Sequence, residues 1–111
     1  MLNIDMRFEK GILIVDLDGE LTEKNSIKIK KHLTNLIKDN GVKYVLINFD
    51  NISKIDSYGI SSIIENYKVI SDNRGKLILC GIMHILRNNA NVYENIYQIN
   101  EESEVFDLVE V

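Results

Sequence analysis

The chain opens with alternating apolar and polar positions and then changes to other spacings. Residues 2–8 have a period of two, which predicts a half-buried strand. The apolar side of that strand is formed by Leu2, Ile4, Met6 and Phe8. Residues 12–17 are almost all apolar and predict a second, more buried strand. Because only Lys10-Gly11 separates the two stretches, we expect an antiparallel hairpin. Residues 18–21 then break the pattern.

The next stretch has helical spacing. Apolar residues recur at i, i+4, i+7 and i+8, which predicts a helix buried on one face: Ile29, Leu33, Leu36 and Ile37. Thr22 or Asn25 is expected to cap its start, and Asn40-Gly41 to end it in a left-handed turn. Four lysines lie mostly off the apolar stripe: Lys24, Lys28, Lys31 and Lys38. They indicate a solvated helix face, with contact to an acidic partner as the alternative.

The middle of the chain predicts a strand, a helix and a second strand. Residues 42–49 are apolar at nearly every position, as in a strand covered on both faces. A helix is expected over 57–73, with an apolar stripe that consists of Ile60, Ile63, Ile64 and Tyr67. Residues 77–80 form a further buried strand. Strand, helix and strand in this order predict two parallel strands joined by a right-handed crossover.

The remaining residues complete a small α/β fold. We expect a weak helix over 83–89, a short strand over 96–99, and a C-terminal helix capped by Asn100 with the stripe Val105, Leu108 and Val109. The predicted architecture is a small mixed β-sheet with helices packed on it, in the order β-β-α-β-α-β-α-β-α. A chain of 111 residues is expected to form one domain, 1–111.

Composition and charge indicate what kind of protein this is and which kinds of partner are not expected. The 45% hydrophobic and 27% charged fractions are typical of a globular protein. A net charge of −4 argues against direct binding of nucleic acid, which requires a basic face. No signal peptide and no membrane-spanning apolar run is present in this sequence, so we expect a cytoplasmic protein without membrane contact. The only cysteine, Cys80, excludes an internal disulfide.

The chemistry of common enzymes is missing from the sequence. A nucleophilic Ser57 would need a base, and the only imidazoles are His32 and His84. No glycine precedes that serine as in a G-x-S-x-G elbow, and neither a phosphate-binding glycine loop nor a zinc-type Cys/His cluster occurs. We therefore expect no catalytic residues, no metal and no cofactor.

Asp56-Ser57 lies where the buried strand 42–49 and its connection give way to the helix. A hydroxyl at this position is near helix N-terminal N–H groups and the positive end of the helix dipole. Ser57 is therefore either a simple N-cap or a site where charge is added and removed. Asp56 is either a cap or a partner contact.

The stretch Ile55-Asp56-Ser57-Tyr58-Gly59-Ile60, after a buried strand and opening a helix, resembles the Asp-Ser-(Ser/Thr)-Gly-Leu signature of STAS domains. More narrowly, the chain resembles bacterial anti-sigma factor antagonists over nearly its full length. Four other segments support the likeness: Ile4-Asp5-Met6, Gly19-Glu20-Leu21, Val45 to Phe49, and Lys76 to Gly81.

The resemblance implies a regulatory switch. Ser57 would be phosphorylated by a partner that is both an anti-sigma factor and a serine kinase. The unphosphorylated chain would bind that partner and free the sigma factor, and a serine phosphatase would reset it. The partner-binding residues implied are Asp56, Ser57, Tyr58, Gly59, Ile60 and Thr22. In this interpretation Asp56 orients the hydroxyl or contacts the kinase, and Gly59 lets the partner approach closely.

Two positions differ from the family pattern. Tyr58 stands where a second small hydroxyl residue is common, and Thr22 stands where the family has aspartate. Tyr58 favours the alternative function, a STAS-type structural subunit of a transport complex or signalling scaffold that is not phosphorylated. Strand 2–8 lies at a sheet edge and could pair with another chain, so we expect a monomer or weak dimer.

Overall fold

A computed structural model describes residues 1–82, 96–99 and 101–108. In chain order its first elements are β1 (Leu2–Glu9), β2 (Ile12–Leu21), α1 (Glu23–Ile29), a π-helical segment (Lys30–Thr34) and α2 (Asn35–Asn40). They are followed by β3 (Tyr44–Ile55), α3 (Ser57–Asp72), β4 (Lys76–Cys80), β5 (Tyr97–Ile99), a 3₁₀ turn (Glu102–Glu104) and α4 (Val105–Leu108).

The five strands form one mixed sheet in the order β1-β2-β3-β4-β5. β1 and β2 are antiparallel, and every other neighbouring pair is parallel. Lys10 and Gly11, with φ of 52° and 82°, make the two-residue turn of the hairpin. The predicted α/β class, the hairpin and the parallel pair around α3 are thus confirmed.

The expected ends of two strands are wrong. β2 continues to Leu21 instead of stopping at Leu17, and β3 continues to Ile55 instead of Phe49. The extensions pair with each other through two register shifts, one at Asp16/Asp18 and one at Gly19/Glu20. Such bulges disturb the alternation of side chains, which is why the sequence pattern breaks there. The connection expected after β3 is therefore strand, and it leads directly into α3.

The core lies on both faces of the sheet. The helices α1, α2 and α3 and the π-helical segment cover one face, where their buried side chains are Ile29, Leu33, Ile37, Ile63 and Ile70. The opposite face carries a smaller cluster of Ile12, Ile14, Leu46, Ile78, Cys80 and Val105. The apolar stripe predicted from Ile29 to Ile37 is confirmed, since three of its members are buried and Leu36 packs against them.

β1 is covered by helices only at its beginning. Leu2 is buried and Ile4 is partly buried, but Met6 is 38% exposed and Phe8 is 63% exposed. The half-buried strand predicted over 2–8 is therefore wrong for its second half, where Met6 lines an open groove with Lys28 and His32 and Phe8 is exposed.

Some expectations lie outside the described residues, namely the helix over 83–89, the Asn100 cap and Val109. At the start of the C-terminal helical segment, the side chain of Glu101 accepts from the backbone of Glu104, and the Glu104 side chain accepts from the Glu101 N–H. No helix in the described part of the chain is both long and apolar enough to cross a membrane.

Candidate functional site

The end of β3 and the start of α3 are joined by a single residue, Asp56. Its backbone is extended, with φ −113° and ψ −175°, and its Oδ1 accepts a hydrogen bond from the Gly59 N–H at 3.0 Å. This is the geometry of an N-cap. Asp56 therefore caps α3, which was one of the two roles predicted for it, the other being contact with a partner. The prediction that Ser57 itself could be the cap is wrong, because Ser57 is already the first residue of the helix.

The same carboxylate also caps a second helix. Oδ2 of Asp56 accepts from the Glu23 N–H, in the first turn of α1, at 2.9 Å. Thr22 occupies the N-cap position of α1, but its side chain makes no capping hydrogen bond. Asn25, the other expected cap, instead donates from its side chain to the Glu20 carbonyl at 2.9 Å. The prediction of a cap at Thr22 is therefore confirmed for its position and that at Asn25 is wrong, while the side-chain hydrogen bond comes from an aspartate distant in sequence.

Two hydrogen bonds to its ionised form change the acidity of Asp56. The Gly59 N–H, and to a smaller extent the Glu23 N–H, hold the pKa of the Asp56 carboxyl below its ordinary value of 3.8. The carboxylate therefore remains charged at neutral pH and joins the N-termini of α1 and α3, where the positive ends of two helix dipoles meet.

Ser57 lies at this junction with an exposed side chain. Within the described residues its hydroxyl has no hydrogen-bond partner, while the neighbouring Asp56 oxygens are both occupied by backbone donors. The hydroxyl is therefore available to a second protein. A phosphate placed on it would lie beside the N-terminus of a 16-residue helix, a favourable environment for an anion.

A groove between α1 and α3 begins next to Ser57. Tyr58 from α3 is 53% exposed and Ile27 from α1 is 56% exposed, and both line the groove. Its volume is about 330 Å³, and at its other end Lys30 and Glu65 form a 4.0 Å ion pair. Tyr58 therefore presents an exposed aromatic ring next to Ser57.

Gly59 and Ile60 face the interior. A Cβ at Gly59 would collide with the Leu21 carbonyl oxygen and lie 2.8 Å from Cγ1 of Ile55. The close approach that this glycine permits is thus to β2 of the same chain, and not to a partner's backbone as the sequence interpretation had it. Ile60 is half-buried and packs against the main core cluster. These two residues fix how α3 sits on the sheet.

A second, polar groove of about 450 Å³ lies on the other side of Asp56. Thr22 lines it, together with Glu20, Lys54 and Asp56. The structure therefore brings Thr22 close to the predicted site although 34 residues separate it from Asp56 in sequence. Sequence reasoning missed Ile27 and Lys54. The signal for Ile27 was available, since it is an apolar residue off the buried stripe of a lysine-rich helix.

The histidines are not near this junction where the structure describes them. His32 lines a different groove with β1 residues such as Ile4 and Met6, and His84 lies outside the described ranges. Among the described residues no group of three or more His, Cys, Asp or Glu side chains could hold a metal ion.

Comparison with known proteins gives consistent matches. The model of the STAS domain family matches residues 3–106. An anti-sigma F factor antagonist from Paenibacillus polymyxa is 28% identical over 81 residues, which are 73% of this chain and 69% of that protein. Among solved structures, a putative anti-sigma factor antagonist from Thermotoga maritima has a TM-score of 0.85 at 19% identity and covers 96% of this chain and 93% of its own.

The anti-sigma factor antagonist SpoIIAA has been solved in two states. The unphosphorylated form has a TM-score of 0.78 at 18% identity, covering 96% of both chains. The phosphorylated form, from Bacillus, has a TM-score of 0.73 at 17% identity, covering 96% of this chain and 100% of its own. At these identities the structural likeness establishes a common fold.

Proposed function

Because the chain belongs to the STAS domain family, we propose that it is an anti-sigma factor antagonist, a regulatory binding protein and not an enzyme. In its unphosphorylated form it binds an anti-sigma factor that has serine kinase activity. Phosphorylation of Ser57 releases that partner, and a serine phosphatase restores the binding form. The family match and the names of the relatives support this proposal.

The observation that carries the proposal is the position of Ser57. It is exposed, its hydroxyl is unpartnered within the described residues, and it stands at the start of α3 between two grooves. A kinase can reach this oxygen without unfolding the helix. The fold also tolerates the product, since the helix N-terminus favours an anion.

A phosphate at this position is sufficient to weaken a protein interface. Phosphoserine carries about −1.5 to −2 charges at neutral pH. One added charge about 4 Å from a like charge costs roughly 4 kcal/mol at an effective dielectric near 20. A tenfold loss of affinity needs only about 1.4 kcal/mol. Direct repulsion and desolvation therefore suffice for release, and no change of fold is required.

The proposed contact surface consists of exposed and half-exposed groups around Ser57. Tyr58 and Ile27 supply an apolar patch of the kind enriched in interface cores. Thr22 and Asp56 supply the polar side of the surface. Gly59 and Ile60 belong to the proposed site because they set the position of the first turn of α3.

The proposal is tested with substitutions at Ser57 and matched ones at Ser71, an exposed serine near the other end of α3. After incubation with the anti-sigma factor kinase of the same organism and ATP, intact mass should show one phosphate on wild type and on Ser71→Ala, and none on Ser57→Ala. Ser57→Ala should still bind the anti-sigma factor. Ser57→Asp should lower the affinity at least about tenfold, because its charge lies in the interface.

Ser71→Asp adds the same charge outside the proposed surface and should bind as wild type does. If Ser57→Asp bound the anti-sigma factor as tightly as Ser71→Asp, release by charge at Ser57 would be wrong.

A second candidate is supported by Tyr58, whose bulky ring replaces the small residue common at this position. In that case the chain is a STAS-type structural subunit of a transport complex or signalling scaffold and is not phosphorylated. Absence of phosphoserine from the protein isolated from its own cells, with copurification of a transporter or scaffold component, would select this candidate.

A further inference from the structure

The outer edge of β1 carries backbone groups without strand partners in the described part of the chain. β1 is one of the two edge strands of the described sheet. The Glu20 N–H donates to the Met1 carbonyl at 3.3 Å, and bonded pairs alternate along an antiparallel ladder. Odd residues of β1 therefore bond to β2. The N–H and C=O groups of the even residues point outward.

The start of this edge is already covered. The Lys28 ammonium donates to the Leu2 carbonyl at 2.9 Å, which agrees with an outward direction for the even residues. The open part of the edge thus consists of Ile4, Met6 and Phe8, centred on Met6.

We infer that this edge is the docking site of a second copy of the chain, which adds its own β1 antiparallel with Met6 opposite Met6 of the partner. This inference does not rest on the proposed function. The pairing joins two five-stranded sheets about a two-fold axis. It provides the outward groups of Ile4, Met6 and Phe8 with backbone partners.

Charge complementarity selects this register on one face of the strand. With Met6 opposite Met6, Asp5 of each copy lies directly across from Arg7 of the other. Within one copy, Asp5 lies opposite Asp16 of β2, a like charge, while Arg7 donates to Asp16 at 2.7 Å and to Glu102 at 2.6 Å. Asp5 thus faces an acid in the single chain and gains a cation in the pair.

Shape complementarity selects the same register on the other face. There Phe8 of one copy lies across from Ile4 of the other. Ile4 lines a groove of about 230 Å³ together with Met6, Lys28 and His32. The 63% exposed ring of Phe8 has no cover in the described part of its own chain, and in the pair it lies at the groove of the other copy. Two such contacts flank the Met6 pair.

Neighbouring registers lack this match. Centring the pair on Asp5 puts two aspartates opposite each other, and centring it on Arg7 puts two arginines opposite each other. If one β1 strand is instead moved by one residue, even-numbered residues lie opposite odd-numbered ones, so the apolar side chains of one copy meet the charged side chains of the other. Of the three registers centred on Asp5, Met6 and Arg7, the one centred on Met6 alone pairs opposite charges on one face and apolar side chains on the other.

The test is sedimentation equilibrium of the full chain over a range of concentrations. Wild type should show a reversible monomer–dimer equilibrium. Asp5→Lys places like charges across the pair twice and should raise the dissociation constant at least about tenfold. Its fold should remain intact, because the substitution also removes the Asp5–Asp16 repulsion. Asp39→Lys makes the same charge change on the exposed end of α2 and should dimerise as wild type does.

A mixture tests the register itself. Arg7→Glu should also weaken self-association, but mixing it with Asp5→Lys restores an opposite charge at both cross-strand positions. The mixture should therefore form a heterodimer that neither variant forms alone. A wild type that stays monomeric at about 1 mM overturns the inference, as does an Asp5→Lys protein that dimerises like Asp39→Lys.

Discussion

The Asp56 carboxylate accepts hydrogen bonds from two helices whose N-termini are more than 30 residues apart in sequence. Both carboxylate oxygens are hydrogen-bonded within the protein, so the negative charge next to Ser57 is held in a fixed position. The geometry beside the hydroxyl is held from two sides, through Gly59 in α3 and Glu23 in α1. This arrangement gives Asp56 a structural role that holds with or without phosphorylation of Ser57.

Substitution of Asp56 should expose this double role. Asparagine is ordinarily a good N-cap, but its side chain has one oxygen and can satisfy only one of the two N–H groups. We expect Asp56→Asn to lower the melting temperature, and Asp56→Ala to lower it by about twice as much because both caps are lost. Asp39→Asn, a matched change on the exposed surface of α2, should leave the melting temperature nearly unchanged.

The same carboxylate predicts a pH dependence. Its pKa is lower in the folded than in the unfolded chain, so its contribution to stability is complete above the unfolded pKa near 4 and is lost as the pH falls through the folded pKa. Urea midpoints measured from pH 5 downward should fall for wild type and fall less steeply for Asp56→Asn. Parallel curves for the two proteins would contradict this assignment.

How much of the site is predictable from sequence differs from residue to residue. Ser57 at a helix start follows from the change of an apolar run into helical spacing, which is local information. The hydrogen bond from the Glu23 N–H to Asp56 joins two helices that are distant in the chain, and no local sequence pattern predicts it. The internal role of Gly59 likewise depends on how close Leu21 lies in space.

At the scale of elements, the helices agree with the sequence pattern better than the strand ends do. The stripe from Ile29 to Ile37 is a strong periodic signal, and burial follows it. β2 and β3 extend through polar residues because each extension is paired with the other across bulges. Pairing between distant segments compensates for weak local signals, so the sequence alone stops both strands too early.

The π-helical segment is tied to α3 by a buried polar pair that the sequence did not reveal. The Thr34 hydroxyl donates to Oδ1 of Asn66 at 3.0 Å, and the Asn66 amide donates to the Ser62 carbonyl at 2.8 Å. Thr34 is 4% exposed and Asn66 is fully buried. Buried polar groups are expensive to leave unpaired, so this pair fixes how the two helical segments align.

A double-mutant cycle should detect that coupling. Thr34→Val preserves shape but leaves the Asn66 amide oxygen without its donor, and we expect a loss of about 1–3 kcal/mol in the free energy of unfolding. In the double variant Thr34→Val/Asn66→Leu, the loss in the free energy of unfolding should be smaller than the sum of the two single losses by about 1 kcal/mol or more. Thr22→Val, at the half-exposed threonine, should change stability by less than about 0.5 kcal/mol in the same urea titrations.

At the scale of the whole molecule, the reactivity of Cys80 reports on whether the sheet is intact. Cys80 is fully buried at the end of β4, and burial, with a smaller effect of nearby Asp50, raises the pKa of its thiol to about 11. Because the thiolate is the reactive form, the folded protein should hardly react with a thiol reagent at pH 8.

We expect labelling of Cys80 to follow unfolding. Its rate should rise with urea in step with the loss of circular dichroism, whereas an added surface thiol in Ser71→Cys should react within the mixing time. Rapid labelling of wild type with intact circular dichroism would show that the sheet opens locally at β4, contrary to this expectation.

In the described sheet, β1 runs antiparallel to the other four strands, which are parallel to one another. A second copy added antiparallel at β1 would have its own parallel strands reversed, so the two Ser57 side chains would lie at opposite ends of the joined sheet. Such an assembly is bivalent. A partner with two binding sites of its own would connect successive dimers into an open filament, and the partner would be held by avidity. Modification of one Ser57 in a dimer would then shorten the filaments, and complete release of the partner from that dimer would require modification of both Ser57 side chains.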